Sequence, residues 1–316
     1  MKNFIKKMAM LLTIVGMATI IFSCNKKNEA VAPVIGSAAV SNITATSAMI
    51  TVTIKSDGGS PITKQGVLNA SETCTSNELG SKSFSVSLGD LSPNTTYIIR
   101  GFATNNAGTG FSDVQFTTAS LPTITDFDGN KIPYGTIGNQ TWTFCDLAVT
   151  HYNNGDPIVN ITINSIWAST SQGAMCYYNN DSKNKSVLYN YYAAVDSRGI
   201  APKGWHVATH DDWATLANNC GGYTIAGGKL KQTGTTHWLA PNTGATNETG
   251  FNALPTGDRA NQTGEFLNGD GLFAAWIAVD KTSGNIIWAS SVDARLELPY
   301  YYTPNFGAAI RLVKDN

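Results

Sequence analysis

The chain has little charge. Of its 316 residues only 14% are Asp, Glu, Lys or Arg, against about 25% in an ordinary globular chain. The 21 basic and 22 acidic side chains cancel to a net charge of −1. Without clustered Lys and Arg there is no surface to neutralise phosphates, which excludes nucleic acid as a partner. A 42% hydrophobic fraction with almost no net charge also excludes intrinsic disorder. There are 5 Cys and 4 His, no Cys-x-x-Cys, no Gly-rich phosphate loop and no serine in a Gly-x-Ser-x-Gly context. Long apolar runs are missing too, since beyond the N-terminal stretch nothing approaches 18 uninterrupted apolar residues.

Asn, Thr, Ser and Gly take the place of the missing charge, and 10% of residues are aromatic. A neutral surface rich in amides and hydroxyls suits an extracytoplasmic, strand-rich protein. The length is about two domains' worth.

Lys2, Lys6 and Lys7 precede an apolar run from Met8 to Phe22, interrupted only by Thr13, Gly16 and Thr19. At fifteen residues it is short for a membrane span and reads as a secretory signal. It ends Ile21-Phe22-Ser23-Cys24 and passes at once into the polar Asn25-Lys26-Lys27-Asn28-Glu29. This resembles a bacterial lipoprotein signal, which implies cleavage after residue 23, lipidation of Cys24 and a polar tether over 24–32. The lipid would then be the membrane attachment. In Bacteroidota-type lipoproteins, which the segment resembles, an acidic run after the Cys goes with export to the cell surface. Here the run is basic, which leaves the outer-membrane face open between surface and periplasm.

All seven Trp (142, 167, 205, 213, 238, 276, 288) and all four His (151, 206, 210, 237) lie beyond residue 120, which sets a boundary near Ala119-Ser120-Leu121-Pro122. Before it, the chain reads as short alternating strands. Ile50, Val52 and Ile54 point inward against Thr51, Thr53 and Lys55, the period of a half-buried strand. Phe84-Ser85-Val86-Ser87-Leu88 repeats the pattern. Leu91-Ser92-Pro93-Asn94-Thr95-Thr96-Tyr97 resembles the tyrosine corner of fibronectin type III domains, and Asn105-Asn106-Ala107-Gly108 resembles their last hairpin. The expectation is a fibronectin type III-like β-sandwich over 33–119, a spacer or binding module with no catalytic chemistry attached to its fold.

Beyond it, Asp126-Phe127-Asp128-Gly129-Asn130 is best read as a hairpin turn rather than a calcium loop, because its Gly comes two positions too early. Thr209 and Asp212 form a capping box with Asp in place of Glu, and Trp213, Leu216 and Ala217 give the helix an apolar face that Cys220-Gly221-Gly222 ends. Further pieces are Ile137-Gly138-Asn139-Gln140-Thr141-Trp142, Leu188-Tyr189-Asn190-Tyr191-Tyr192-Ala193, Pro202-Lys203-Gly204-Trp205-His206-Val207, Gly250-Phe251-Asn252-Ala253-Leu254-Pro255 with Gly257 and Arg259, and Gly307-Ala308-Ala309-Ile310-Arg311-Leu312. In this order they resemble the Fibrobacter succinogenes major paralogous domain, a family of extracytoplasmic bacterial modules. The resemblance implies a relative of the C-type-lectin-like fold over 121–316, with one or two helices on small antiparallel sheets and function on long loops. The overall expectation is a mainly β chain with minor α, a sandwich followed by an α+β lectin-like domain. In that family a Cys commonly stands where this chain has Ala201, and another where it has Leu312, which implies that two paired thiols were lost together. Cys145, Cys176 and Cys220 can form at most one disulfide, and the sequence does not choose the pair.

Several constellations bear on chemistry. His206 and His210 are four apart, but His206 precedes the cap on a strand, so they do not share a helix face, and His206 is read as structural. Asp211 and Asp212 are explained by the cap rather than as an acid–base pair. Trp238-Leu239-Ala240-Pro241-Asn242 resembles the Glu-Pro-Asn loop by which C-type lectins hold calcium and sugar, yet Ala240 replaces the coordinating carboxylate. The formylglycine-generating relatives of this fold use paired cysteines late in the chain, and no Cys follows Cys220. No catalytic residues, no metal ligands and no cofactor are expected, calcium being the one ion left open. Trp276, Trp288 and Tyr301 are the candidate ligand-binding side chains, because aromatic faces stack on sugar rings. The expected function is a non-catalytic, lipid-anchored outer-membrane protein binding a glycan or a protein in adhesion. A structural component with protein contacts only is the alternative.

Overall fold

The computed structural model describes residues 29–315 apart from 70–71, 77–78, 90, 184–185, 268, 270, 281–283 and 300–303, and the side chains of 72–74. The described residues divide into two compact units, one of 29–42, 48–88 and 96–116, the other of 43–47, 89–95 and 117–315.

The first unit has seven strands, β1 (Val34–Ser41), β2 (Ala48–Ser56), β3 (Lys64–Asn69), β4 (Glu72–Thr75), β5 (Ser83–Leu88), β6 (Thr96–Asn105) and β7 (Gly108–Thr117). They form sheets in the orders β1-β2-β5 and β4-β3-β6-β7. This partition of an antiparallel seven-strand chain is the fibronectin-type sandwich. The alternation explains the core, with Ile50 and Val52 fully buried and Phe84, Val86 and Leu88 facing them from β5, while Ser85 on the outer face pairs its hydroxyl with Thr51 at 2.9 Å. Tyr97 is half-buried and stacks on Phe116 at 5.9 Å between ring centroids. Asn105 closes the β6–β7 hairpin, its Oδ1 accepting from the Ala107 and Gly108 amides at 2.8 and 3.1 Å.

The second unit begins with β8 (Thr123–Thr125), β9 (Lys131–Ile137) and β10 (Gln140–Thr143), then β11 (Val159–Asn160), α1 (Asn164–Ser169), β12 (Ala174–Tyr177), β13 (Val187–Tyr189) and α2 (Tyr191–Ala194). It continues with β14 (Trp205–Val207), α3 (His210–Asn219), α4 (Tyr223–Leu230), β15 (Asp258–Arg259), β16 (Phe266–Leu267), β17 (Phe273–Val279), β18 (Gly284–Ser290), β19 (Leu296–Glu297) and β20 (Leu312–Lys314). The largest sheet has the order β14-β20-β10-β9-β8, so the last strand inserts between β14 and β10. Closing the chain into the middle of a sheet makes the C-terminal segment part of the core rather than a tail.

The Asp126–Asn130 segment is the expected turn between β8 and β9, held by Asp126, whose carboxylate accepts from the Asn130 amide and side chain, both at 2.9 Å. The Thr209–Asp212 capping box is present, and Trp213, Leu216 and Ala217 are buried as expected. Gly138 has φ 63°, and a Cβ there would lie 2.2 Å from the Asn219 side chain, which reaches up from the end of α3 to donate to Asn139 Oδ1 at 3.1 Å. The motif tryptophans converge. Trp142 lies 4.9 Å from Trp213, and Trp213 lies 5.1 Å from Trp276, with Phe251 at 5.8 Å from both Trp142 and Trp213. Four distant segments are thus joined by one aromatic cluster, a large apolar contribution for a unit with so much loop.

Candidate functional site

Of the sequence-predicted ligand residues, Trp276 and Trp288 sit against different apolar clusters. Trp276 is fully buried in that aromatic cluster, and its indole nitrogen donates to Asp146 at 2.9 Å, so it offers no face to a sugar. Burial corrects that assignment: Trp276 sits in the middle strand run of β17, where every residue from Ala274 to Ala278 is enclosed. Trp288 is half-buried against a second apolar cluster that contains Val207, Ile310 and Leu312. Tyr301 and Cys24 lie outside the described residues. Asn242 is turned inward after a cis Ala240–Pro241 bond, its amide donating to the Gln232 and Gly234 carbonyls at 2.9 and 2.8 Å. That loop is therefore not arranged to present Asn242 to a ligand.

The three described thiols are all free. They sit in or against three different apolar clusters, Cys220 in that of Trp213, Cys145 against that of Leu147 and Cys176 in that of Trp167, which is why no pair among them closes a disulfide. Burial pushes the Cys176 and Cys220 thiols up to about 11, so neither is an activated nucleophile. Ala201 and Leu312 both belong to the second cluster.

His206 is on β14 and lies between two carboxylates, with Nε2 3.1 Å from Asp212 Oδ2 and Nδ1 2.7 Å from Asp315 Oδ1. Asp212 also accepts from the Thr209 amide and hydroxyl at 2.9 and 2.6 Å. Hydrogen bonding to Asp212 raises the His206 pKa, against the opposing effect of burial and with Asp315 adding to the rise. Both ring nitrogens are spent in joining the C-terminal strand to the α3 cap, a structural role. Asp128, Thr150 and His151 form a second polar knot. Asp128 accepts from the Thr150 amide and hydroxyl, and lies 2.7 Å from His151 Nδ1. Thr150 Oγ1 meets the same His151 nitrogen at 3.1 Å. A relay through imidazole needs nucleophile and acid on opposite ring nitrogens, so this knot is not a triad.

Three buried cations were not singled out as such by sequence reasoning. The Arg259 guanidinium donates to the carbonyls of Gly264, Ile161 and Thr162 and to Asn164 Oδ1. It lies 4.5 Å from the Trp167 ring and 4.6 Å from the Phe266 ring. Arg311 pairs with Asp146 and donates to the Thr143 and Phe251 carbonyls, both at 2.9 Å. The Lys231 ammonium donates to the carbonyls of Thr243, Ser290 and Asp293 at 3.0, 2.7 and 2.8 Å. Burial pulls its pKa down to about 8, against the attraction of Asp293. The signal for Arg259 and Arg311 was their place in the family pattern. For Lys231, between Leu230 and Gln232 at the end of α4, sequence offered none.

One concavity of the second unit, about 500 Å³, is lined by Tyr152, Gln172, Tyr192, Asp196 and Arg198, with Pro157, Val159, Ser171 and Gly173. Asn190, the α2 cap, organises it. Its Oδ1 accepts from Ala193 and Ala174 amides at 3.0 and 2.9 Å, and its Nδ2 donates to the Gln172 carbonyl at 2.8 Å. The Asn of the Leu-Tyr-Asn-Tyr-Tyr-Ala motif thereby fixes Gln172 and Tyr192 together. Opposite them, Arg198 donates from Nε and Nη2 to both oxygens of Asp196 at 2.9 and 2.8 Å, and from Nη1 to Asp156 at 3.1 Å. Its guanidinium lies 3.9 Å from the Tyr152 ring. The Arg198 hydrogen bonds hold Asp196 down at about 2, and burial pushes Tyr152 up to about 12. Gly173 is required by close approach, because a Cβ there would lie 2.1 Å from Tyr152 Oη. The loops are joined by the Asn153 amide donating to the Gly199 carbonyl at 2.9 Å. The sequence pattern singles out none of these five residues as a ligand candidate, although Tyr192 lies inside the Leu-Tyr-Asn-Tyr-Tyr-Ala motif of the family resemblance.

Known structures similar to the chain are fibronectin-type domains. The sensor domain of the anti-sigma factor RsgI4 in Pseudobacteroides cellulosolvens is 28% identical over 29% of this chain and 96% of its own, with a TM-score of 0.22. A fibronectin type III domain from human KIAA0970 protein is 21% identical over 31% of this chain and 79% of its own, TM-score 0.20. The FN1–FN3 domains of chicken CNTN1 are 20% identical over 29% of this chain, which spans 33% of that chain, TM-score 0.24. No curated protein matches. Residues 136–314, more than half of the sequence and the part that holds the cation-capped loops and the Asn190-organised cleft, match the Fibrobacter succinogenes major domain, and the chain belongs to that family.

Proposed function

We propose that the chain is a non-catalytic, lipid-anchored protein of the bacterial outer membrane. Its β-sandwich serves as a spacer, and its second unit as an adhesion module that binds a glycan or a protein. The observation that carries this reading is how the titratable groups are spent. His206 is taken by two carboxylates, Arg259 and Lys231 by backbone carbonyls, and Arg311 by Asp146 and carbonyls. Groups committed in this way are not available as acids, bases or nucleophiles. The accessible concavity is lined by tyrosines, an amide, a hydroxyl and one Arg–Asp pair, the chemistry of a binding surface. The kinship to lectin-like folds, drawn from the sequence motifs, agrees with such a role. The anchor at Cys24 is supported by the apolar run before it, and no helix of the described residues is long and apolar enough to cross a membrane.

A purely structural role with protein contacts is favoured by Val159, Ile163 and Ile166, which are 53%, 57% and 49% exposed around β11 and α1. Full-length protein carrying Cys24→Ser, screened on a glycan array and by cross-linking on whole cells, decides between the two. Glycan binding supports the adhesion reading, protein cross-links alone support the structural one, and silence in both overturns the binding role. Labelling of the wild-type chain with radioactive palmitate, absent in Cys24→Ser, is the expected result for the anchor.

A further inference from the structure

Resting on the binding-module reading, we propose that the cleft between Tyr152, Gln172, Tyr192, Asp196 and Arg198 receives the end of a neutral sugar chain, without calcium. The first argument is charge. Arg198 is already paired with Asp196 and Asp156, and Asp196 stays ionised down to about pH 2. Of the residues lining the cleft only Arg198 and Asp196 are charged, and their pairing cancels the two charges, so the lining selects neither an anion nor a cation and suits a neutral ligand. The same pairing disfavours calcium, since both carboxylates accept from Arg198 and no group of three or more acidic, His or Cys side chains is arranged for a metal among the described residues.

The second argument is unspent hydrogen-bonding capacity. A guanidinium has five N–H donors, and Arg198 directs three of its own to the two Asp residues. The Gln172 side-chain amide and the Ser171 hydroxyl are exposed and have no partner among the described residues. Each of these two groups is both donor and acceptor, as is each hydroxyl of a sugar, so the complement does not depend on a single proton placement.

The third argument is shape and rigidity. Tyr192 is half-buried and lines the cleft, giving a ring on which the C–H face of a pyranose can stack. The volume of about 500 Å³ falls in the range of small-molecule sites, roughly 300–1,000 Å³. Asn190, the Gly173–Tyr152 approach and the Asn153–Gly199 hydrogen bond hold the walls before a ligand arrives, which lowers the entropic cost of binding. A peptide finds less here. The adjoining edge strand β11 has two residues, too few to template strand addition, and the lining is polar where a peptide hot spot needs an apolar socket.

The test uses full-length Cys24→Ser protein, an array of neutral and acidic oligosaccharides, and titration calorimetry with the strongest neutral tetrasaccharide, in calcium and in EDTA. The expected result is a neutral hit whose affinity is equal in both buffers. Tyr192→Ala and Gln172→Ala should each weaken it about tenfold, the scale of one stacking or hydrogen-bonding contact, while thermal stability stays that of the parent. Arg198→Gln should weaken it as well. Trp288→Ala, at a separate half-buried position, should not. A neutral hit insensitive to Tyr192→Ala and Gln172→Ala would overturn the cleft and leave the binding module standing. Preference for oligogalacturonate, or loss of binding in EDTA, would overturn the ligand class. Absence of any sugar binding, with a protein cross-linked through a photoreactive group at position 192, would assign the cleft to a protein and overturn the proposal.

Discussion

In the sandwich, β2 carries its backbone into ladders on both sides, and no charged side chain is buried among the described residues. In the C-terminal unit Lys231, Arg259 and Arg311 are all buried, each with its cationic end on carbonyls of loops and strand ends. The difference follows from how each region satisfies its polar backbone. A sheet pairs N–H with C=O as a matter of geometry, whereas irregular loops folded over a core leave carbonyl oxygens without partners. A long side chain with several donors repairs many of these at once. Three of the 21 basic residues of a low-charge chain are used for this. The scarcity of charge at the surface and its presence in the interior therefore have one origin, a unit built from Asn-, Thr- and Gly-rich loops.

If that is so, removing one buried cation should damage the second unit more than removing a methylene damages the first. Arg311→Met leaves the largely enclosed Asp146 carboxylate without its cation and with the Trp276 indole as its remaining donor, and the expected loss is about 3–5 kcal/mol. Arg259→Met, which strands only neutral carbonyls, should cost about 3 kcal/mol. Lys231→Met should cost less, about 2 kcal/mol, because deleting a desolvated ammonium offsets part of the unpaired carbonyls. Ile50→Val in the sandwich should cost about 1 kcal/mol. Urea unfolding followed by tryptophan fluorescence reports the second unit selectively, since every Trp lies beyond residue 120, and amide exchange at Ile50 and Val52 along the same urea series reports the sandwich. Equal losses for Arg259→Met and Ile50→Val would break the comparison.

The same contrast governs what the sequence could say. In the sandwich the period of two in Ile50-Thr51-Val52-Thr53-Ile54 maps directly onto burial, because a strand side chain has only two faces. The α3 cap and the Asp126–Asn130 turn were legible for a similar reason, since their hydrogen bonds join residues three or four apart. The cleft was not legible. Tyr152, Gln172, Tyr192 and Arg198 come from four loop or short-helix segments, and what joins them is Asn190 bonding to Ala174 and Gln172. Nor could sequence distinguish an exposed Trp from an enclosed one in β17 and β18, where apolar residues run on with no alternation. Trp276 lay in the core for that reason.

His206 sharpens the comparison at lower energy, because it joins the last strand to α3 by charge rather than by burial. Both of its nitrogens face carboxylates, and only the doubly protonated ring can donate to both. Its pKa is raised by Asp212 and Asp315, and that of Asp212 is lowered by His206 and Thr209 despite burial. A raised histidine contributes stability that is complete below its unfolded value of 6.5 and is lost as pH climbs through the folded value. The lowered carboxylate contributes above 3.8 and is lost as pH falls through its folded value. The clamp is therefore strongest between pH 3.8 and 6.5 and weakens toward alkaline pH. With the side chain 38% exposed, solvent screening keeps the effect below about 1 kcal/mol. His206→Gln should flatten the decline in stability of the second unit above pH 6.5, while the capping box, whose bonds run between Thr209 and Asp212, stays intact. Amide exchange at Val207 and Val313, on the strands that His206 helps to hold, reads the clamp directly. The exposed Arg100–Asp113 pair of the sandwich is the control, and Asp113→Asn should leave the unfolding midpoint unchanged because water screens a fully exposed pair. A shift from Asp113→Asn as large as that from His206→Gln would mean that the two units do not differ in how they use charge.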